Sequence, residues 1–473
     1  MTAALSLLNA AAIDPLTLPF AQLKAGYQRQ SFPTEDERRD RLNRLTRMIK
    51  ESRAALAEAI DQDWGGRSVT ETDILEVFPA LEAIKHNRNH LHRWMKPKKQ
   101  GVSLWFKPGK AWTQPQPLGV VGIVSPWNYP LFLTLAAVAG AFAAGNRVMI
   151  KPSEFTGRFG AVLAEAVARH FAPDELVVIN GGVEVSQAFT ALPFDHLLFT
   201  GSTAVGKAVM RAAAENLTPV TLELGGKSPT IIGTDCSIAL AAERILTTKL
   251  MNAGQICVSP DYVLLPVGSE EKFVTEATRV TRARYPNWPQ DFSALATPRQ
   301  RERIAAVIAD AEVKGAQIVK LIDADDTATH FVPRIVLHAT DDMRILQEEI
   351  FGPLLPVLSY RALVDAIAYV NARPRPLALY YFGDHRQDID QVLHETHSGG
   401  VTVNDCILHV GQESLPFGGI GPSGMGHYHG EFGFNTFSKI KPVFQQSRFN
   451  GAPLLYPPYG GRVRTMLKFM LRC

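Results

Sequence analysis

The chain has 473 residues, with 49 Lys and Arg against 46 Asp and Glu, a formal charge of +3 that gives no bulk case for a nucleic-acid partner. It is too long for one hydrophobic core, so two or three domains are expected, and 46% hydrophobic with 20% charged residues excludes a disordered or fibrous chain. Cys236, Cys257, Cys406 and Cys473 form no CxxC pair and lack Cys/His ligand spacing, which argues against a disulfide scaffold or structural zinc and points to a reducing, cytoplasmic location.

The N-terminal stretch MTAALSLLNAAAIDPL has no basic start of the kind a signal peptide needs. Residues 34–60 read as an amphipathic helix, with Thr34 as N-cap and Glu37 three residues on. A second helical region covers about 70–98, and the basic run RWMKPKKQ at its end reads as a solvated face. Residues 101–119 alternate apolar and polar around KPGK, a hairpin-like pattern.

Strand and helix then alternate. Strands are expected at 119–126, 146–154, 176–181, 196–201 and 219–226, with helices from Leu131, over 158–171 and over 202–215. Apolar strands separated by helices imply a parallel, doubly wound α/β sheet whose ligands bind at the carboxyl ends of the strands. The run YPLFLTLAAVAGAFAAG (129–145) is Ala-rich and leads into a strand, so it reads as a buried helix and no stable membrane insertion is expected. A second α/β unit starts with a strand at 228–233, a helix near 237–253 and a strand at 262–267, and continues to about 408. The C-terminal GRVRTMLKFMLRC is basic and amphipathic; packing on the body is expected over membrane-surface contact, and Cys473 is not a prenylation box.

The turn FTGSTAVGKA (199–208) nearly matches a P-loop through Gly201, Gly206 and Lys207, but Ala208 stands where a hydroxyl would hold Mg²⁺. Backbone N–H groups at the start of the following helix suit a phosphate. Glu223 lies about twenty residues on, where a dinucleotide site places a ribose-binding acid. It also ends the last strand of the sheet, where it could be a catalytic carboxylate, and the spacing leaves both readings open.

Seven segments occur in order: SPWNYP (125–130), KPSE (151–154), FTGSTAVGK (199–207), LELGGKSP (222–229), NAGQIC (252–257), EEIFGP (348–353) and LPFGGIGPSGMG (415–426). Together they resemble the aldehyde dehydrogenase superfamily from about residue 35 to 445, in its class-3-like branch, which includes bacterial coniferyl-aldehyde-type enzymes. The resemblance implies an NAD-binding domain of Rossmann type at 1–100 and 118–225 and an α/β catalytic domain at 226–408. It implies bridging, oligomerising elements at 101–117 and 409–445, a tail at 446–473, and a homodimer.

It implies NAD(P)-dependent oxidation of an aldehyde to the acid, with no metal called for. Cys257 is the implied nucleophile, although a lone Cys is ordinarily a small buried hydrophobe. Asn128 is the implied oxyanion donor; by itself it would read as a turn-stabilising side chain. Glu223 is the implied base, and Glu349 contacts the nicotinamide ribose and shares that duty; the plain alternative for Glu349 is a solvated acidic pair with Glu348. Lys151 and Glu154 match residues on the adenosine ribose, and a carboxylate at 154 favours NAD over NADP. Gly201 and Ser202 fall by the pyrophosphate and Phe351 by the nicotinamide ribose, while Trp127 sits either at the cofactor–substrate junction or in the core.

Tyr129, Ile256, His409 and Phe417 are expected to line the aldehyde tunnel, which suits aromatic and medium-chain aliphatic aldehydes alike. A CoA-acylating relative using the same Cys, and a catalytically idle protein on this fold, are the remaining alternatives.

Overall fold

The computed structural model describes residues 2–471, so the expectation for Cys473 lies outside it. Residues Glu35–Trp64 form one helix that opens on a capping box. The Thr34 hydroxyl accepts from the Glu37 N–H at 3.3 Å, and the Glu37 carboxylate accepts from the Thr34 N–H at 2.6 Å. These reciprocal bonds satisfy donors that a helix start otherwise leaves free. The second helical region is not continuous. A turn at Val69–Thr72 runs into a wide π-type turn at Asp73–Val77 and then the helix Phe78–Met95. Glu76, within the π turn, is buried.

Six strands form the first sheet, in the order Gly424–Met425, Val220–Leu224, His196–Gly201, Val120–Val124, Arg147–Lys151, Leu176–Val178. All pair in parallel except Gly424–Met425, which lies antiparallel with Gly424 opposite Glu223. The helix Phe132–Ala144 is buried along its whole length, as its all-apolar sequence requires. A helix at Val183–Thr190, not expected from its short and weakly patterned sequence, completes the layer.

The second sheet has seven strands, in the order Gln317–Lys320, Arg334–Leu337, Leu354–Tyr360, Tyr262–Pro266, Pro229–Ile232, Ala378–Phe382, Gly400–Val403. Only Gln317–Lys320 is antiparallel.

Three antiparallel strands form a separate ribbon, and here the hairpin-like expectation for 101–119 needs correction. Lys110–Pro117 pairs with Lys98–Gln100 on one side and, along its full length, with Ser438–Gln445 on the other. Pairing with the short strand stops at Thr113. Pro115 and Pro117, which have no N–H to give, lie beyond that point, where the strand needs only one partner.

An N-terminal helix, Thr2–Arg29, was also not expected, because Pro15 and Pro19 break its pattern. Leu16, Phe20 and Leu23 bury against the first sheet, with the Phe20 and Phe194 rings 5.2 Å apart. At the other end the helix Gly461–Met470 buries Val463, and Phe469 meets Trp105 at 6.4 Å, so the tail packs on the ribbon. Among the described residues no helix is long and apolar enough to cross a membrane.

Candidate active site

The helix Ile238–Leu250 is followed by three residues with left-handed backbone: Asn252 (φ 48°), Ala253 (φ 51°) and Gly254 (φ 77°). Such conformations cost roughly 1–3 kcal/mol for each non-glycine residue, so the surroundings must hold them. Glu71 does so, accepting the Asn252 N–H at 2.5 Å and the Ser293 hydroxyl. Gln255, fully buried, donates to the carbonyls of Asn252 (2.9 Å) and Ala294 (3.0 Å) and accepts the Ala296 N–H (3.0 Å). A Cβ on Gly254 would stand 2.3 Å from the Gly352 carbonyl oxygen, so only glycine fits there. This clamped loop presents Cys257, partly exposed.

Asn128 ends the turn before the buried helix. Its side-chain amide donates to the Gln255 carbonyl at 3.1 Å, and its own carbonyl accepts from Asn252 Nδ2 at 3.1 Å and from Arg67 at 3.3 Å. The amide therefore keeps a second N–H for another acceptor. Behind it Arg67 and Glu76 form an ion pair at 2.7 Å, both side chains with no exposure. The other Glu76 oxygen accepts the N–H groups of Leu131 (2.7 Å) and Phe132 (3.2 Å), where the helix begins. The Arg67 guanidinium lies 5.1 Å from the Trp64 ring and 5.0 Å from Tyr129.

Glu223 is buried at the end of its strand, and neither of its carboxylate oxygens has a hydrogen-bond partner among the described residues. Burial pushes its carboxyl well above the usual carboxylate range. Glu349 accepts the Gly226 N–H, and its Oε1 has no partner among the described residues; burial first, then Asp261, raises its carboxyl to about 8. Burial, then Glu349 and Glu223, pushes the Cys257 thiol up to about 12. A thiol and two under-solvated carboxylates thus share one electrostatic site, the arrangement in which a carboxylate serves as proton acceptor near neutral pH.

The first sheet carries the expected dinucleotide residues at its carboxyl edge. Lys151 is buried and gives one of its three donors to the Pro152 carbonyl at 2.6 Å, and Glu154 is exposed three residues on. Ser202 caps the helix Thr203–Ala214, accepting the Val205 N–H at 3.4 Å, with Gly201 just before it. A Cβ on Gly201 would meet the Phe199 ring at 2.6 Å, so the turn holds a residue without a side chain there. Trp127 is half-buried and meets Phe351 at 5.4 Å and Trp64 at 5.9 Å, which bridges the two expectations for it. Phe351 itself is left-handed (φ 49°). A donor-rich helix start, a free lysine donor and a carboxylate suit a nicotinamide dinucleotide.

Of the residues expected around the aldehyde, Tyr129 is buried and its hydroxyl feels Cys257, and Ile256 adjoins it. Phe417 is buried and pairs through its backbone with Tyr428, at 2.8 and 2.9 Å. His409 is bonded to Thr402 at 2.7 Å and lies 6.3 Å from Tyr380, whose hydroxyl donates to the Val258 carbonyl, so it stands one layer behind the nucleophile.

The aldehyde dehydrogenase family profile matches residues 24–443. The chain belongs to the aldehyde dehydrogenase family, an oxidoreductase that converts aldehydes to acids with a nicotinamide dinucleotide. It is 50% identical over 457 residues to a probable coniferyl aldehyde dehydrogenase of Pseudomonas aeruginosa, covering 96% of each chain. It is 44% identical to a coniferyl aldehyde dehydrogenase of a Pseudomonas species, over 95% of each. A solved structure of Staphylococcus aureus AldH in its substrate-bound state superposes with a TM-score of 0.90 at 36% identity, covering 96% of this chain and 99% of that one.

Sequence reasoning missed Glu71, Gln255, the Arg67–Glu76 pair, and Tyr428 with His429. The last two stand in GHYHG, an aromatic and imidazole run that was a usable signal, and Gln255 stands in NAGQIC; Glu71, Arg67 and Glu76 carry no local signature.

Proposed function

We propose that Cys257 is the nucleophile, Asn128 the oxyanion donor, and Glu223 with Glu349 the proton acceptors, in oxidation of a coniferyl-type aromatic aldehyde. The observation that carries this is the electrostatic interaction of Cys257 with buried Glu223 and half-buried Glu349, neither carboxylate fully hydrogen-bonded among the described residues. A carboxylate takes the Cys257 proton, and Sγ adds to the aldehyde carbon. The second Asn128 N–H and the Cys257 backbone N–H stabilise the oxyanion. Trp127 and Phe351 would hold a nicotinamide dinucleotide, which when bound would accept the hydride that leaves the former aldehyde carbon. A thioester then remains on Sγ; Glu223 or Glu349 takes a proton from water, which attacks the acyl carbon and releases the acid and the thiolate.

Aromatic rather than medium-chain aliphatic aldehydes are favoured by the coniferyl names of the relatives and by the Tyr129, Phe417 and Tyr428 rings. Glu154, exposed beside Lys151, favours NAD over NADP, because a carboxylate repels a 2′-phosphate. Among the described residues the ribbon leaves one edge of Ser438–Gln445 unpaired, which supports a homodimer built by strand pairing. Free thiols at Cys236, Cys257 and Cys406 favour the reducing cytoplasm. The division into a dinucleotide domain (1–100, 118–225), a catalytic domain (226–408), bridging elements (101–117, 409–445) and a tail is proposed on the same basis.

The test is formation of reduced nicotinamide and free acid from coniferyl aldehyde with NAD or NADP. Acid formed without CoA supports hydrolysis; an acyl-CoA formed only when CoA is added would favour the acylating reaction.

A further inference from the structure

Tyr428 and His429 are 2% and 4% exposed, yet the Tyr428 hydroxyl and both ring nitrogens of His429 lack partners among the described residues. Buried polar groups without partners are costly, so three on adjacent residues call for an explanation. The His429 ring lies nearly parallel to Phe417, 5.3 Å away at 20°, tilted against Phe132 at 6.3 Å and edge-on to Tyr428 at 4.6 Å. These contacts fix the imidazole plane without using its nitrogens.

The backbone is committed as well. His429 is left-handed (φ 86°), an uncommon state for a residue with a Cβ. Gly430, also left-handed (φ 46°), follows, and a Cβ there would stand 2.0 Å from the Glu413 carbonyl oxygen. The turn is thus locked by close packing at Gly430. The Tyr428 hydroxyl interacts electrostatically with both Glu223 and Cys257, and the Tyr129 hydroxyl with Cys257.

We propose that Tyr428 and His429 form the polar end of the aldehyde site and recognise the ring hydroxyl of a phenolic aldehyde whose carbonyl lies at Cys257. The proposal rests on the aldehyde-oxidation reading above. Burial, then His409 and His86, holds His429 at about 3, so its ring is neutral and offers one N–H donor and one acceptor. A phenol has one donor and one acceptor and answers both an imidazole and a tyrosine hydroxyl. An unsubstituted ring or an alkyl chain answers neither, whereas a phenol hydroxyl pairs the Tyr428 hydroxyl and one of the two His429 nitrogens. Sites built to bind a substrate hydroxyl discriminate strongly against analogues that lack it.

The experiment compares kcat/KM for 4-hydroxybenzaldehyde and benzaldehyde in the wild-type protein and in Tyr428→Phe and His429→Phe. The wild type should prefer the hydroxylated aldehyde by about tenfold or more, and each variant should bring that ratio toward one. Tyr428→Phe removes a single oxygen and keeps the ring, so the reading does not depend on the bulkier change at His429. A wild-type ratio near one, or a ratio that survives both substitutions, overturns the proposal. A wild-type protein that oxidises neither aldehyde brings down the aldehyde-oxidation reading instead, and the proposal with it.

Discussion

A Cβ on Gly225 would stand 2.0 Å from Oε2 of Glu349, so this carboxylate rests directly on the backbone two residues beyond Glu223. The contact couples the segment that ends the first sheet to the EEIFGP loop of the second. Gly225→Ala should therefore displace Glu349 and lower kcat by about 10²-fold, the scale of a lost general base. Steady-state kinetics beside Glu349→Gln checks this: the two variants should resemble each other. Wild-type turnover in Gly225→Ala would show that the Glu349 position is not needed.

The pH dependence follows from the same carboxylates. A base must be ionised to accept a proton, and both Glu223 and Glu349 are raised, Glu349 to about 8. Activity should thus rise with pH through this range and be low at pH 6. A kcat/KM profile measured on wild type, Glu223→Gln and Glu349→Gln assigns the limb to whichever substitution abolishes it. A flat profile from pH 6 to 9 in all three would contradict the assignment.

Asn128 has one amide N–H committed to Gln255 and one to spare. Asn128→Ala should cost about 10²–10³ in kcat with little change in KM, as for removal of an oxyanion donor. A change confined to KM would make Asn128 a substrate-binding residue only.

Arg67 and Glu76 are fully buried and hold the Asn128 carbonyl and the N–H groups at the next helix start. Removing one partner leaves an uncompensated buried charge, so Arg67→Met or Glu76→Gln should destabilise the fold by about 3–5 kcal/mol. Denaturant unfolding measures this, and the double substitution should lose less than the sum of the singles. Additive losses would mean that the two side chains act independently.

Where an element depends on neighbouring residues, it was readable in the sequence. The capping box at Thr34 and Glu37, the apolar strands such as Val120–Val124, and the all-apolar helix Phe132–Ala144 each carry their own pattern. The Thr2–Arg29 helix was hidden by its two prolines, and the π turn at Asp73–Val77 has no sequence period. Pairing of Lys110–Pro117 with Ser438–Gln445 joins segments over 300 residues apart, which no local pattern encodes. The site divides in the same way. Cys257, Asn128, Glu223 and Glu349 stand in recognisable motifs, whereas the Arg67–Asn128 contact and the packing of His429 on Phe417 exist only after folding.

The central claim, that Cys257 carries the acyl group, is tested most directly by following reduced nicotinamide from coniferyl aldehyde and NAD in wild type and Cys257→Ala. Binding of NAD is measured on the same samples. The account predicts turnover in the wild type and a loss of about 10⁴-fold or more in Cys257→Ala, with NAD binding kept. Cys236→Ala and Cys406→Ala should both still turn over. Sustained oxidation by Cys257→Ala would contradict the account at its centre.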